Sequence, residues 1–354
     1  MNTKIGWGFI GAGNITNRFI KGLNEVPDAY LAAIASRNYD NAKAFAEHYN
    51  AKDFAEHYTA KDPAEHYTVK DSAEHSSAKA YEDYEQVILD KNVDILYVAT
   101  PHTLHMENTL LALELGKPVL CEKPMSPNAA QVRQMVSKSR DKKIYLMEAM
   151  WTRFFPAIHK VQSWLSEGEI GKVHHVTADF GYSADVNPSS RLFNPELAGG
   201  SLLDVGVYTV SFASMIFGKK PNRISSVADM TSTGVDSRMG CSLGYEGGGI
   251  ASLFSAVSTN TLQEAHIIGE HGRIVIPKFW SPRQAFLYKD EQLVEEFSQE
   301  HVGEGFQFEI AAVQEDFKAG RIENKLMPLD ESIAIAETMD TMRAQWGLVY
   351  PFEK

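Results

Sequence analysis

The sequence predicts an α/β half followed by an α+β half, and three observations carry the prediction. Short apolar runs alternate with helical stretches through residues 1–150. A Gly-x-Gly turn, Gly11-Ala12-Gly13, follows the first apolar run. Beyond residue 150 the pattern changes to strand-like runs separated by short polar turns. Alternation of the first kind implies a parallel sheet covered on both faces, and the second kind a mostly antiparallel sheet.

In order, residues 4–10 read as a strand that runs into Gly11-Ala12-Gly13-Asn14-Ile15-Thr16 and a helix to about residue 25. Strands are expected over 30–36, 93–99, 118–121 and 144–149, with helices from about 38, over 102–115 and over 126–140. The aromatic stretch Trp151-Thr152-Arg153-Phe154-Phe155-Pro156 marks a junction between domains 1–150 and 151–354. A helix over 157–166, a strand over 173–182 and a helix over 201–217 open the second half. Strands over 223–230, 238–245, 249–258, 263–269 and 273–276 follow, then helices over 306–318 and 332–346.

The 354 residues are 44% hydrophobic, ample for packed cores. The 34 Lys+Arg against 46 Asp+Glu give a net charge of −12, which argues against a nucleic-acid partner. Two cysteines, Cys121 and Cys241, make no disulfide framework and point to a reducing, cytoplasmic setting. The N-terminus lacks a signal-like apolar run, and no stretch reads as a bilayer span, so no membrane partner is expected.

The glycine turn sits where a Rossmann dinucleotide fingerprint belongs, after a strand and opening a helix. Gly11 permits the tight turn, and Gly13 lets the backbone approach a pyrophosphate resting on free N–H groups. The third glycine position is Thr16, so the fingerprint is incomplete. At the end of the second strand stands Ser36-Arg37-Asn38, with no acid before Asp40. Arg37 suits a 2′-phosphate, which favours NADP with NAD as the alternative; the plain reading is a solvated arginine.

Glu122-Lys123-Pro124 follows the strand over 118–121, so Lys123 lies at a strand's carboxyl end, where open α/β sheets bind ligands. Thr100 and His105 follow another carboxyl end; His105 reads equally as a cofactor-side group or as an inert histidine at a helix start. Asp204 and Tyr208 are spaced i, i+4 on the helix after Gly199-Gly200 and project from one face. A tyrosine beside a lysine suits alcohol oxidation or carbonyl reduction: the phenol exchanges a proton, the ammonium favours the phenolate, and Asp204 orients a hydroxyl or the tyrosine. The plain alternative is an amphipathic helix with one exposed Asp and one packed Tyr.

Residues 45–80 hold a nine-residue repeat, with units starting at Phe45, Phe54, Pro63 and Ser72. Nine residues are about 2.5 helical turns, so successive units face opposite ways and no single apolar stripe runs through all four. The expectation is a surface excursion at the amino ends of the strands, partly helical, rather than a long core-packed helix. The Glu-His pairs, Glu47-His48 onward, do not converge on one ion, and no metal site is expected.

Gly11-Ala-Gly, Thr100-Pro-x-x-x-His105, Glu122-Lys-Pro124 and Gly199-Gly-Ser-Leu-Leu-Asp-Val-Gly-Val-Tyr208 together resemble the Gfo/Idh/MocA oxidoreductases over nearly the whole chain. The stretches 147–157 and 203–208 look closest to the branch of dimeric dihydrodiol dehydrogenases and NADP-dependent D-xylose dehydrogenases. The resemblance implies Lys123 and Tyr208 as a catalytic pair with Asp204 beside them. It implies NADP held by Gly11, Gly13, Asn14, Ile15, Ser36, Arg37, Thr100, His105, Glu122 and Lys123, with Trp151 and Arg153 closing the site. It also implies a homodimer through an open sheet face. A sugar or vicinal-diol substrate would meet Tyr182, Arg191, Asn194 and Asp204. Alternatives are another polyol, such as an inositol, an amino sugar or a tetrapyrrole as substrate, or a catalytically silent NADP-binding sensor.

Overall fold

The computed structural model describes residues 4–59, 77–218 and 220–354, with side chains for all of these but 51–59. The alternating runs of the first half form a six-stranded parallel sheet. Its strands are β1 (Ile5–Ile10), β2 (Ala29–Ala35), β3 (Lys79–Tyr81), β4 (Ile95–Val98), β5 (Val119–Glu122) and β6 (Leu146–Ala149). Their order across the sheet is β3-β2-β1-β4-β5-β6, so the winding reverses between β1 and β4. Helices α1 (Asn14–Leu23), α2 (Tyr39–Thr59), α3 (Tyr84–Leu89), α4 (His105–Glu114) and α5 (Ala129–Lys142) connect the strands. One buried cluster gathers around Trp7, Phe9, Phe19 and Tyr97, another around Leu96, Val98, Val119 and Val136. Burial on both faces is why β1, β2 and β4 read as unbroken runs without a charged residue.

The second half builds an eight-stranded sheet: β7 (Val173–Gly181), β8 (Arg223–Met230), β9 (Asp236–Gly244), β10 (Ile250–Ala256), β11 (Glu264–Gly269), β12 (Arg273–Pro277), β13 (Gln284–Lys289) and β14 (Gln292–Ser298). The order is β14-β13-β12-β11-β7-β10-β9-β8, and the β7–β10 pair is parallel within an otherwise antiparallel sheet. Helices α6 (Pro156–Ser166), α7 (Val207–Phe217) and α9 (Leu329–Trp346) pack on one face. The other face stays open, and Val227 on it is 74% exposed. The sequence missed β3, α3, β13 and β14. β3 and β14 are edge strands with little buried surface to pattern them. The β13–β14 turn uses Asp290 and Glu291 at φ 47° and 60°, so it lacks the glycine or asparagine that usually marks such hairpins.

The chain then returns to the first half. α8 (Phe306–Lys318) packs on α1, and α9 packs on α5 and β6 as well as on the second sheet. Phe306 at the start of α8 reaches both halves, stacking on Trp151 at 4.2 Å and meeting Phe19 at 5.7 Å.

One expectation gains its extent, and a second changes. The helix through the first repeat unit continues to Thr59 and is the longest in the chain at 21 residues among those described. Its packed part is local: Ala42 and Ala46 are buried, Phe45 meets Phe9, and the Tyr49 hydroxyl accepts from Leu31 N. Asn50 then clamps the returning chain, its side chain bonding both Ala78 N at 2.8 Å and Ala78 O at 3.2 Å. The chain is therefore clamped where it returns, at the amino end of β3. Units beyond the first fall wholly or partly outside the described residues, and so do their Glu-His pairs. The second concerns the span 195–217: its 23 residues are long and apolar enough to cross a bilayer by composition, contrary to the sequence reading. That span is 83% buried over its most apolar window, so its apolar faces are spent inside the protein.

Candidate active site

The cleft opens at the carboxyl ends of β1, β4 and β5, beside the point where strand order reverses. Gly11 turns the chain at φ +110°, and its N–H donates to Ala35 O at 2.9 Å. A Cβ there would meet Ala99 O at 2.6 Å, so only glycine fits. Thr16 fills the third fingerprint position by tying helix to turn: its buried hydroxyl donates to Gly11 O at 2.9 Å. Gly13 precedes α1 in extended conformation, and a Cβ on it would meet nothing within 4 Å. Among the described residues no side chain caps α1, and its first turn holds no acid. Open space, free N–H groups and a positive helix end together fit a diphosphate.

Gly13, Asn14, Ile15, Thr100, His105, Glu122 and Lys123 line a cleft of about 380 Å³. A second compartment of about 260 Å³ adjoins it, walled by Trp151, Phe180, Tyr182, Tyr208, Trp280 and Phe306. Ile15, Arg18, Glu122, Lys123, Arg191 and Asp204 line both. The two spaces are therefore continuous.

Glu122, the last residue of β5, is pinned at both oxygens. It accepts from the Tyr97 hydroxyl at 2.5 Å and from Lys123 N at 3.0 Å. Lys123 Nζ donates to the Asp204 carbonyl at 2.5 Å and lies 4.9 Å from the Tyr208 ring centroid. Burial lowers the lysine's pKa, against the opposing charges of Asp204 and Glu122. Burial, with the charge of Glu122, pushes the Tyr208 phenol well above its usual range. Against the expectation that the ammonium favours the phenolate, Lys123 meets the ring face, and burial raises the phenol's pKa.

Asp204 sits in a π-helical turn, Leu202–Gly206, that precedes α7. The wider turn alters the i, i+4 geometry, yet Asp204 and Tyr208 still line the same compartment. The Asp204 carboxylate accepts from the Tyr182 hydroxyl at 2.6 Å and from Arg191 at 2.5 Å. Burial opposes its charge, but Lys123, Arg191 and these hydrogen bonds outweigh burial and hold it well below the carboxylate range. The same carboxylate raises the Tyr182 phenol, after burial itself.

Other expected residues lie elsewhere. Arg153 does not close the site: it is buried and bonds Ser211, the Leu326 carbonyl and Glu331, joining α7 to α9. Asn194 does not face the cleft; its side chain accepts from Glu196 N and caps a short turn. His105 lines the cleft wall, its ring nitrogens 2.9 Å from the Pro124 carbonyl and 2.8 Å from the Thr100 carbonyl. Burial lowers its pKa, and the neutral ring donates to one of these carbonyls. Ser36 and Arg37 sit at the carboxyl end of β2, outside the two compartments, with Arg37 exposed. Sequence reasoning missed Arg18, Phe180, Trp280 and Phe306. The last two lie more than 100 residues from the glycine turn, with no local pattern to announce them.

Two family descriptions match the chain, "Oxidoreductase family, NAD-binding Rossmann fold" over residues 5–149 and "GFO/IDH/MocA C-terminal domain" over residues 158–275. The chain belongs to the GFO/IDH/MocA oxidoreductase family. It is 35% identical over 359 residues to the trans-1,2-dihydrobenzene-1,2-diol dehydrogenase of Mus musculus, covering 98% of each chain. It is 32% identical to the Homo sapiens protein of that name, again with 98% of each covered. Among solved structures, the aldose-aldose oxidoreductase of Caulobacter crescentus with glycerol superposes at TM-score 0.82, 23% identity, over 98% of this chain and 99% of that one. The 3-ketoreductase KijD10 of Actinomadura kijaniata with NADP and TDP-benzene superposes at 0.79, 23% identity, over 96% and 97%. These two establish the shared fold.

Proposed function

We propose that this chain is an NADP-dependent oxidoreductase acting at a carbinol carbon of a sugar or vicinal diol. The observation that carries the reading is the meeting of Tyr208 and Lys123 in a compartment continuous with the glycine-turn cleft. The names of the relatives support the substrate class, since a dihydrobenzenediol is a vicinal diol. When bound, the nicotinamide supplies or accepts a hydride at the substrate carbon.

The remaining chemistry belongs to the side chains. Tyr208, held as a phenol, donates its proton to the developing alkoxide in reduction and takes it back in oxidation. Lys123, fixed by the Asp204 carbonyl and the Tyr208 ring face, places positive charge beside that oxygen. Asp204 stays ionised and accepts from a second hydroxyl in place of, or beside, Tyr182. Trp151, Phe180 and Trp280 wall the space and exclude water. Arg37, exposed at the end of β2, pairs with the 2′-phosphate. Self-association through the open face of the second sheet, and a cytoplasmic setting in keeping with two free buried cysteines, complete the reading.

The test is a nucleotide titration by nicotinamide fluorescence, NADPH against NADH, on wild type and Arg37→Ala. NADPH should bind more tightly, and Arg37→Ala should lose about tenfold, the equivalent of roughly 1.4 kcal/mol for one charged contact. Turnover of diols or aldoses with NADP⁺ should follow. Equal binding of both nucleotides would refute the phosphate assignment, and tight binding without turnover across a broad polyol panel would refute the enzyme.

A further inference from the structure

Arg18 is a third cation in the cleft, and it is placed differently from the other two. Lys123 is committed to the Asp204 carbonyl and Arg191 to the Asp204 carboxylate. Arg18 projects from α1 one turn beyond Asn14 and Ile15 and lines both compartments. Its guanidinium lies 5.7 Å from the Trp151 ring centroid and 5.5 Å from that of Phe306, over the stacked pair. Its ionic partner comes from far along the chain: Glu304, which also accepts from Lys21 at 2.8 Å. Glu304 belongs to the connection 299–305 between β14 and α8. Left-handed Gly303 and Gly305, at φ 72° and 108°, flank it.

We propose that Arg18 is a diphosphate-binding arm restrained by Glu304, so that the dinucleotide and segment 299–305 compete for one guanidinium. The inference rests on the cofactor reading above. Three facts favour exchange over a fixed ion pair. The Arg18 and Glu304 side chains are 41% and 28% exposed, so the pair is wet and weakly held. A diphosphate carries more charge than one carboxylate and matches the guanidinium fork. Lys21 keeps Glu304 paired after Arg18 leaves, so no charge is stranded. Arg18 then swings the short distance along α1 toward the free N–H groups at Gly13 and Ile15, while the aromatic stack keeps its stem in place. Cofactor binding thereby loosens the segment that leads into Phe306, a wall of the substrate compartment stacked on Trp151.

The test compares wild type, Glu304→Gln, Arg18→Gln and the double variant. NADPH affinity is read by nicotinamide fluorescence, and hydrogen exchange over 299–305 is followed with and without NADPH. Removing the competitor should tighten NADPH about 2–5-fold, the size of an exposed ion pair. Arg18→Gln should weaken it about tenfold, and the double variant should match Arg18→Gln. In wild type, NADPH should speed exchange in 299–305. Wild-type binding with both single variants unmoved, or weakened alike, would overturn the clasp while leaving the cofactor site intact. Absence of nicotinamide-nucleotide binding in wild type would overturn the cofactor reading itself.

Discussion

The two ends of the cleft are built in opposite ways. The nucleotide end is local: Gly11, Gly13 and Thr16 lie within six residues, and their turn is set by backbone sterics and one hydroxyl. The substrate end is assembled from Lys123, Trp151, Tyr182, Arg191, Asp204, Tyr208 and Trp280, brought together by two sheets and the returning helix α8. Locality makes the first end robust and readable. Convergence makes the second end tunable, because each group's charge state depends on partners supplied by other segments. Two buried aspartates beside one helical stretch show this. Asp204 meets Lys123 and Arg191 and stays ionised. Asp236 receives hydrogen bonds, among them the Ser201 hydroxyl and Leu202 N, but has no cation among its pKa-shifting partners, and burial pushes its carboxyl up to about 6.

The contrast breaks first at Tyr208. Tyr208→Phe should lower turnover about 10²–10⁴-fold, the range for a lost general acid, while NADPH affinity moves less than about twofold. Steady-state kinetics and a nucleotide titration on the same preparation would check it; unchanged turnover would remove the residue from the chemistry.

The aspartate pair sharpens the comparison through pH. Asp204 has a depressed folded pKa, so its stabilisation is present above the unfolded value near 3.8 and is lost as pH falls through the folded value. Asp204→Asn should therefore cost about 1.5–3 kcal/mol at neutral pH, and the deficit should shrink in strong acid. Asp236 has the opposite sign. Its raised folded pKa means that stability is fully present below 3.8 and falls as pH rises to about 6. Asp236→Asn should match or exceed wild type above pH 6 and lose that advantage at pH 4. Thermal melts of both variants across pH 4–8 should show a nearly constant deficit for Asp204→Asn and a pH-dependent difference for Asp236→Asn, and parallel trends would refute the assignment.

The smallest effects separate the two glycines. Gly11→Ala should cost about 1–2 kcal/mol or more, because a left-handed residue is strained and its Cβ meets Ala99 O. Gly13→Ala should fold normally, since its Cβ enters open space, yet weaken NADPH where that Cβ meets the diphosphate. Melting temperature should distinguish the first variant and nucleotide affinity the second.

Much of this protein was legible as a string. Fully buried β1 and β4 carry no charged residue because a parallel sheet has no wet face, and the glycine turn is legible because few residues tolerate its geometry. Lys123 and Tyr208 were legible as motifs after a strand and on a helix. Arg153 and Asn194 misled because a polar residue near a motif does not reveal which way it points. Arg153 turned to Ser211 and Glu331, and Asn194 turned to its own turn. The 299–305 connection gave no signal, because Glu304 acquires meaning only through Arg18, 286 residues away.

The sequence by itself determined the alternation of elements, the glycine turn, and the placing of Lys123 after a strand and of Asp204 and Tyr208 on one helical stretch. These follow from sterics and periodicity acting over a few residues. The tertiary structure decided that the lysine meets the ring face of Tyr208, that Asp204 is ionised while Asp236 is pushed toward neutrality, that His105 is buried against backbone carbonyls, and that Arg18 pairs with Glu304. Those outcomes depend on desolvation and on charges a few ångströms away, which long-range packing alone supplies.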